Sequence, residues 1–303
     1  MPSINVAGTL YTYELTPPVA NSRSRSASAK PRSPVLVFIH GWLLSHRYWQ
    51  PLIQLLQPHY QCLSYDLRGF GESTPVSRSL QESDNSSYNL AAYANDLCLL
   101  LKELNIEKAW LIGHSLGGSI ALWTAHLCPK IVKGVVCINS GGGIYLKEEF
   151  EKFRSAGQRL IKYRPFWLRY VPGLDIVFSR MMVSRPLAIS WGRQRIKDFL
   201  QADGEAAIGS LLDSTTEEEV HHLPWLVSRL SQPVYFIAGM KDSVMEPKYV
   251  HHLASFHPLF SYDAGNILEI EDCGHFAMLE HTDRVFSIVE SLLKKEAIDI
   301  YNS

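Results

Sequence analysis

Short apolar runs rich in β-branched residues recur along the chain and predict strands that are buried on both faces of a sheet. The first of these runs is Val35–Ile39, and the others lie at 60–65, 109–112, 132–138, 234–238 and 267–270. Ahead of them, residues 3–15 alternate between polar and apolar positions around Gly8, which predicts two short strands joined by a turn.

Longer segments with apolar residues three and four positions apart separate these strands and predict helices. They cover residues 88–104, 115–127, 245–256 and 280–296. In the first of them, one stripe is expected to face a core; it consists of Leu90, Tyr93, Ala94, Leu97, Leu100, Leu101 and Leu104. Because strands alternate with such helices, the sequence predicts an α/β fold with a doubly wound, mostly parallel sheet.

One long region interrupts this alternation. Between residues 143 and 230 no strand-like run occurs, and helical segments are interrupted by Pro165, Pro172, Pro186 and Pro224. We therefore predict a helical cap over 143–230, inserted into a core domain that is formed by 1–142 and 231–303.

The composition is that of a globular protein. The chain has 303 residues, of which 46% are hydrophobic, and its 29 basic and 30 acidic residues leave a net charge of −1. This balance argues against a nucleic-acid surface along the whole chain. Residues 20–34 are polar and of low complexity, and their four cations stand without aromatic residues, so we expect a solvated loop there.

The cysteines do not form a recognisable framework. Five occur, widely spaced and without a C-x-x-C pair, at Cys62, Cys98, Cys128, Cys137 and Cys273. This spacing excludes a disulfide scaffold or a zinc ribbon and fits a reducing compartment. With no readable secretory signal and no apolar run long enough to span a bilayer, the sequence predicts a cytoplasmic protein with at most peripheral membrane contact.

The segment Gly113-His114-Ser115-Leu116-Gly117 has the spacing G-x-S-x-G and lies between a predicted strand and a predicted helix. In that context the serine occupies a sharp, strained turn, which requires small residues two positions before and after it. The turn exposes the Ser115 hydroxyl and leaves the Leu116 amide at a helix N-terminus, where the helix dipole favours an anion. Ser115 is therefore the candidate nucleophile.

A serine hydroxyl needs a base that accepts its proton, and in a doubly wound sheet the base and its orienting acid are expected after later strands. Asp242 follows the apolar run 234–238, and His275 follows the run 267–270. Either residue alone is more simply a turn-forming aspartate or a loop histidine. The order Ser115, Asp242, His275, with both later residues in loops after strands, favours a joint catalytic role.

The segment His40-Gly41-Trp42 directly follows the first central strand. A backbone turn at this point allows the Trp42 amide to join the Leu116 amide in an oxyanion hole. We expect His40 to bond backbone groups near that hole rather than to act as a second base.

Together these segments resemble the α/β-hydrolase superfamily, in its serine esterase and lipase-like branch with a helical cap. The resemblance covers residues 35–142 and about 232–296. It implies the following site: Ser115 as nucleophile, His275 as general base, Asp242 as the acid that orients His275, and Trp42 and Leu116 as the oxyanion hole.

Two further motifs carry the resemblance. Residues 66–73 are similar to the family's D-x-R-G-x-G-x-S loop, which implies architectural roles for Asp66 and Arg68. The chain around the candidate base, Gly274–Glu280, resembles the family's usual ending, although Thr282 stands where a proline often follows. This departure concerns a helix start and not the candidate base.

Several relatives use other residues at these positions. Haloalkane dehalogenases and epoxide hydrolases have Asp at the elbow, so Ser115 argues against both. The H-x-x-x-x-D pattern of some acyltransferases is absent, because the residue five positions after His46 is Pro51 and the residue five positions after His275 is Glu280.

No cofactor and no metal are expected. Adjacent histidines at 221–222 and 251–252 point in different directions on a helix, which does not suit a metal ion. A G-x-G-x-x-G motif after a strand, which would indicate a nucleotide cofactor, does not occur in the sequence.

Residues 151–200 differ in charge from the rest of the chain, since 11 basic and 3 acidic residues give them a local charge of +8. Aromatic residues lie among the cations: Phe153, Tyr163, Phe166, Trp167, Tyr170, Phe178 and Trp191. This mixture is typical of a surface that binds anionic lipid. The alternative is that the rings pack onto the core and the cations form a solvated face. Membrane contact predicts that charge reversal at Arg164 and Arg169 weakens binding to anionic vesicles.

The sequence thus predicts a serine hydrolase that cleaves a carboxylic ester, either a small molecule or a lipid, through an acyl-enzyme. Only the composition of the cap favours a lipophilic ester. Other reactions of the same triad are alternatives: carbon–carbon bond hydrolysis, amide or peptide hydrolysis, and perhydrolysis. A ligand receptor on the same fold is the alternative from a different class. Nucleic acid is not an expected partner, and the sequence does not predict the oligomeric state.

Overall fold

The computed structural model of the protein describes residues 1–19, 33–75, 87–142, 147–260 and 265–302. Most of the segment predicted as a solvated loop, residues 20–32, lies outside the described residues, so its conformation stays a prediction. No helix in the described ranges is long and apolar enough to cross a membrane.

Nine strands form one sheet in the described part of the chain. Their bounds are β1 Ser3–Val6, β2 Thr9–Leu15, β3 Val35–Ile39, β4 Cys62–Tyr65, β5 Thr74–Pro75, β6 Ala109–His114, β7 Val132–Ile138, β8 Val234–Gly239 and β9 Ile267–Ile270. The order across the sheet is β1-β2-β4-β3-β6-β7-β8-β9, and β5 pairs with β2. The pairings of β1, β2 and β5 are antiparallel, whereas all the others are parallel. The predicted α/β fold with a mostly parallel sheet is confirmed.

Helices flank the sheet. Their bounds are α1 Gln50–Leu56, α2 Leu90–Glu103, α3 Leu116–Leu127, α4 Lys147–Lys162, α5 Leu174–Arg180, α6 Ile189–Gln201, α7 Gly204–Ser214, α8 Glu217–Arg229, α9 Pro247–Ala254, α10 Ala277–Glu280 and α11 Thr282–Asn302. Two 3₁₀ turns precede α1 and α5, at His46–Trp49 and Phe166–Tyr170. The sequence pattern did not predict α1 or α10, both of which are short.

The central strands are largely apolar because each face of the sheet packs against its own layer of helices. In β3, Val35, Val37 and Ile39 belong to one buried cluster, which includes apolar residues of α2, α3 and α8. Leu36 and Phe38 point the other way, into a second cluster with α1 and α11. A run without polar alternation is therefore what the central strand of a doubly covered sheet requires.

Helices α4 to α8 occupy the stretch between β7 and β8 that was predicted as an insertion. The last of them packs closely on the core, since Leu223, Leu226 and Val227 are buried in the same cluster as the sheet. Pro224 was expected to interrupt a helix, but it lies inside α8 and is buried. Tertiary packing outweighs the lost hydrogen bond here. The division into a core domain and a cap stays a prediction.

The expectation of reduced cysteines throughout is wrong, because a disulfide joins Cys98 and Cys128. Cys98 lies on α2 and Cys128 caps the C-terminus of α3. The two helices pack on the same face of the sheet, so cysteines 30 positions apart in sequence become neighbours. Spacing along the chain could not reveal this pairing. Cys62, Cys137 and Cys273 are buried thiols.

We predict that the Cys98→Ser/Cys128→Ser protein unfolds with a free energy lower by about 3 kcal/mol, because the crosslink closes a loop of about 30 residues. Urea unfolding followed by circular dichroism measures this difference. Dithiothreitol should destabilise the wild-type protein by a similar amount and leave the double variant unchanged. Five reactive thiols in denatured, unreduced protein would contradict the disulfide.

Candidate active site

Ser115 lies in a strained turn between β6 and α3. Its backbone torsions are φ 52° and ψ −121°, a combination that only the surrounding structure can enforce on a residue with a side chain. The flanking glycines permit it. A Cβ atom on Gly113 would lie 2.2 Å from the carbonyl oxygen of Gly117, and one on Gly117 would lie 2.3 Å from that of Ile39. The demand for small residues that the G-x-S-x-G spacing implied is thus met sterically.

Asp242 and His275 form a buried hydrogen-bonded pair. The loops after β8 and β9 carry them, and the distance from His275 Nδ1 to Asp242 Oδ2 is 2.7 Å. The other carboxylate oxygen, Oδ1, accepts the backbone amides of Val244 at 2.8 Å and Met245 at 3.0 Å. Because β6, β8 and β9 run parallel, both loops lie at the sheet edge where β6 leads into Ser115.

The surroundings of Asp242 keep it ionised. Burial alone would raise the pKa of its carboxyl, but the proximity and hydrogen bond of His275 and the two backbone amides outweigh burial and lower the pKa below its ordinary value of 3.8. Asn139 adds a fourth donor, since its Nδ2 lies 2.8 Å from Asp242 Oδ2. Sequence reasoning missed Asn139, although a polar residue directly after the buried, apolar end of a strand is a usable signal.

The backbone of His275 is held from two sides. Its carbonyl oxygen lies 2.7 Å from Nε2 of His114, the residue before the candidate nucleophile. Its amide donates to the carbonyl oxygen of Met182 at 2.8 Å, so a segment between α5 and α6 contacts the candidate base directly. These two bonds fix the position of the imidazole relative to Ser115. In the described part of the chain, the Ser115 hydroxyl itself forms no hydrogen bond with His275.

His114 is a neutral, fully buried histidine. Burial and the nearby His275 lower its pKa from 6.5 to about 3. Since Nε2 must then donate to the His275 carbonyl, Nδ1 carries no proton, and it forms no hydrogen bond within the described structure. His114 is a further positioning residue that the sequence did not single out.

The backbone amides of Trp42 and Leu116 flank the elbow. Neither amide donates a hydrogen bond to another described residue. A Cβ atom on Gly41 would lie 3.2 Å from the Ser115 Cβ, so the chain after β3 approaches the serine closely. The Trp42 indole donates to the Ala207 carbonyl at 2.9 Å, which anchors this turn to α7.

His40 has the structural role that was expected. Its Nδ1 lies 2.8 Å from the Gly41 carbonyl oxygen, and its Nε2 accepts the Leu67 amide at 2.9 Å. Burial lowers its pKa from 6.5 to about 4, so the ring is neutral and both nitrogens are engaged. It therefore orients the backbone next to Trp42.

Asp66 and Arg68 are architectural, as the resemblance implied. Asp66 accepts the His46 amide at 2.7 Å and the Glu72 amide at 2.8 Å, which closes the loop after β4. Arg68 pairs with the buried Asp96 at 3.0 Å. None of these contacts involves Ser115 or His275.

Glu280 holds the loop that carries the candidate base, His275. Its carboxylate accepts four backbone amides, two in the loop that carries His275 and two in the segment after Met182; the donors are Gly274, Phe276, Ser184 and Arg185, at 2.7–3.1 Å. The sequence indicated Glu280 only as part of a motif. Its contacts show that one side chain joins two segments far apart in the chain.

One histidine of each adjacent pair contacts another side chain of the protein. His222 stacks on Trp123 with ring centroids 5.0 Å apart, and His251 Nε2 lies 2.7 Å from Glu269 Oε1. Among the described residues, no group of three or more potential ligands is arranged to hold a metal ion.

In comparisons with known proteins, the family model described as "alpha/beta hydrolase fold" matches residues 34–282. The chain belongs to the alpha/beta hydrolase family. A curated relative is the pimeloyl-[acyl-carrier protein] methyl ester esterase of Xanthomonas axonopodis pv. citri, 27% identical over 83% of this chain and 92% of its own length. Another is the bifunctional esterase/perhydrolase of Acinetobacter calcoaceticus, 26% identical over 70% of this chain and 76% of its own.

A solved member of similar fold is a thermophilic esterase from Thermogutta terrifontis. It superposes with a TM-score of 0.71 and 22% identity, covering 95% of this chain and 94% of the other. At this identity the likeness concerns the hydrolase fold alone.

We predict that His114 makes the protein less stable in acid. The pKa of His114 is about 3 in the folded protein and 6.5 in an ordinary imidazole. Between pH 4 and 6 the unfolded chain therefore binds a proton at His114 that the folded protein does not bind. The free energy of unfolding therefore falls as the pH falls, by about 1.4 kcal/mol per pH unit from this residue. Urea unfolding at pH 4, 5 and 6 measures the slope.

The comparison protein is His114→Gln, whose side-chain amide can donate to the same carbonyl but does not titrate. The slope of its unfolding free energy against pH should be smaller than that of the wild type by about 1.4 kcal/mol per pH unit. Parallel curves for the two proteins would contradict a neutral, proton-excluding His114.

Proposed function

We propose that the protein is a serine hydrolase that cleaves a carboxylic ester. The observation that carries this proposal is the 2.7 Å hydrogen bond between His275 Nδ1 and the buried Asp242, at the sheet edge where the strained Ser115 stands. Because Asp242 occupies Nδ1, Nε2 is the nitrogen of His275 that is left to accept a proton. The esterase names of the two curated relatives point to the same chemistry.

In the first step, His275 Nε2 takes the proton of the Ser115 hydroxyl as its oxygen attacks the ester carbonyl carbon. The carbonyl oxygen gains a negative charge, and the amides of Trp42 and Leu116 donate hydrogen bonds to it. Asp242 stabilises the imidazolium that forms. The tetrahedral intermediate then collapses, the alcohol leaves with the proton from His275, and the acyl group remains on Ser115.

In the second step, water gives a proton to His275 and attacks the acyl-enzyme. The same two amides bind the second oxyanion, and Ser115 leaves with the proton that His275 returns. Each step begins and ends with a neutral imidazole, so the ionised state of Asp242 is required throughout. The lowered pKa of Asp242 provides that state over the whole physiological pH range.

We further propose that the ester is lipophilic. Met182 supports this proposal. Its side chain is apolar and exposed, and its carbonyl oxygen accepts a hydrogen bond from the His275 amide. Met181 and Met182 are both exposed, at 37% and 40%, and would offer apolar contacts to an acyl chain beside the loop that carries His275.

We predict that Ser115→Ala lowers kcat by at least about a thousandfold on every ester hydrolysed by the wild type, since no other group can form the acyl-enzyme. A series of p-nitrophenyl esters from acetate to palmitate measures this, and kcat/KM should rise from acetate to medium and long chains. A fluorophosphonate probe should label the wild type once per chain and leave the variant unlabelled.

The matched control is Ser190→Ala, which removes an exposed hydroxyl from α6 and should leave activity unchanged. If wild type and Ser115→Ala hydrolyse all the esters alike, the proposed nucleophile is wrong. If only the shortest ester is hydrolysed, the enzyme proposal stands and the lipophilic substrate is wrong.

We predict that Asp242→Asn lowers kcat by about four orders of magnitude, because the amide no longer favours the tautomer and orientation that the base needs. Steady-state kinetics at pH 7 measures the loss, and unfolding curves establish that the variant is folded. Asp272→Asn is the control, since Asp272 is exposed and paired with Lys241. Equal activity of the two variants would remove Asp242 from the mechanism.

A further inference from the structure

The segment between α4 and α6 exposes aromatic side chains that a stable fold normally buries. Tyr163, Phe166, Trp167 and Tyr170 retain 60–71% of their accessible surface. The next helix, α5, adds exposed aliphatic side chains, among them Val177 at 55%. Large apolar patches of this kind mark sites of interaction.

These rings are not an unpacked part of the core, because other residues of the same segment fill that role. Phe199 is buried and contacts Phe178 with ring centroids 6.3 Å apart. Arg195 is buried too and donates from Nη1 to the carbonyl oxygens of Phe178 and Met181. Residues of α5 and α6 thus pack against each other on the inner side, and the exposed rings take no part in these contacts.

Cations surround the exposed rings. The Arg169 guanidinium lies 3.3 Å from the centre of the Phe166 ring and 5.5 Å from that of Tyr170. Lys162 Nζ lies 5.6 Å from the Tyr163 ring. Arg164, which the sequence analysis chose as a surface cation, has another role: it donates to the Phe199 and Ala202 carbonyls at the end of α6, each at 2.6 Å.

Nearly all the exposed charges between residues 151 and 200 are positive. Eight exposed cations lie between residues 151 and 200: Lys152, Arg159, Lys162, Arg169, Arg180, Arg185, Arg193 and Lys197. Glu151 is the one exposed acid among the described residues of this range, since Asp175 is partly covered and Asp198 is buried. Such a surface attracts anions and repels a second copy of itself.

A groove joins the rings to the cations. Its volume is about 660 Å³, and Phe166, Arg169 and Tyr170 form one wall while Arg193 and Lys197 of α6 form another. Asp175 also lines the groove and pairs with Arg193 at 2.9 Å, so an anionic headgroup there would meet chiefly Arg169 and Lys197 beside the two aromatic rings.

We propose that this basic–aromatic surface, formed by residues 159–197 with their exposed rings and cations, docks the protein onto an anionic phospholipid bilayer. Aromatic rings insert at the level of the headgroups, aliphatic side chains reach the acyl chains, and lysine and arginine bind the phosphates. The surface offers all three kinds of group. A nucleic acid would use the cations and rings but would leave Val177 and its aliphatic neighbours in water.

Docking at this surface would place the bilayer beside the candidate site. The surface includes the exposed Met182, whose carbonyl oxygen accepts the His275 amide at 2.8 Å. A lipophilic molecule that leaves the bilayer here would do so next to the loop that carries His275. Binding itself does not depend on catalysis, so the docking surface and the proposed hydrolase activity can fail separately.

Vesicle sedimentation tests the proposal. The full chain is mixed with vesicles of phosphatidylcholine alone or of phosphatidylcholine with about a third phosphatidylglycerol. The wild type and the Ser115→Ala protein should both sediment with the anionic vesicles and remain in solution with the neutral ones, and 0.5 M salt, about five times the usual ionic strength, should release most of the protein.

Two double variants test the cations and the aromatic rings of the surface separately. Lys162→Glu/Arg169→Glu should lower the partition coefficient for anionic vesicles at least about tenfold, because each basic residue contributes separately to attraction. Phe166→Ser/Trp167→Ser should lower it similarly and should leave the salt dependence unchanged, since the charges remain.

Each variant has a matched control elsewhere on the protein. Lys102→Glu/Lys108→Glu changes the net charge equally, and Phe256→Ser/Leu259→Ser removes exposed apolar groups from the segment after α9. Both controls should bind anionic vesicles as the wild type does. All variants should unfold at the wild-type urea midpoint to within about 0.3 M, and hydrolysis of a short soluble ester serves as a second check of folding.

Absence of sedimentation with anionic vesicles overturns the proposal. It is also overturned if the control variants lose binding as much as the surface variants do. Binding of single-stranded nucleic acid without vesicle binding, or a dimer that disappears in the Phe166→Ser/Trp167→Ser protein, would assign the surface to a different partner.

Discussion

The backbone turn at Ser115 is the constraint on which the candidate site depends. A positive φ at a serine costs roughly 1–3 kcal/mol, and the cost is met by the close packing of β3, β6 and α3 around two glycines. The same turn frees the Leu116 amide, because the first amide of a helix has no partner within the helix. One strained residue thus presents a hydroxyl and a backbone amide without a described acceptor side by side.

The parallel sheet brings the other candidate residues next to this turn. Parallel strands end at a common edge, so loops that are more than a hundred residues apart along the chain meet there. Asn139 after β7 binds Asp242 after β8, which in turn binds His275 after β9. Each strand contributes one member of a continuous chain of hydrogen bonds, and the order of the members follows the order of the strands.

The central strands and the turn at Ser115 were predictable from the sequence because their signals lie within short stretches of the chain. Largely apolar runs identified the central strands, and the spacing around Ser115 identified the elbow. What sequence could not provide were relations between distant segments. The contact of Cys98 with Cys128 and the clamp formed by Glu280 depend on tertiary packing. Composition likewise could not separate exposed rings such as Trp167 from buried ones such as Phe199.

The contacts of Glu280 also restrict how the protein can move. Because one carboxylate binds both the His275 loop and residues 184–185, these two segments must shift as a unit. The His275 carbonyl is also held by His114 Nε2 at 2.7 Å, so a displacement of residues 184–185 would strain the contact between the candidate base and the turn at Ser115.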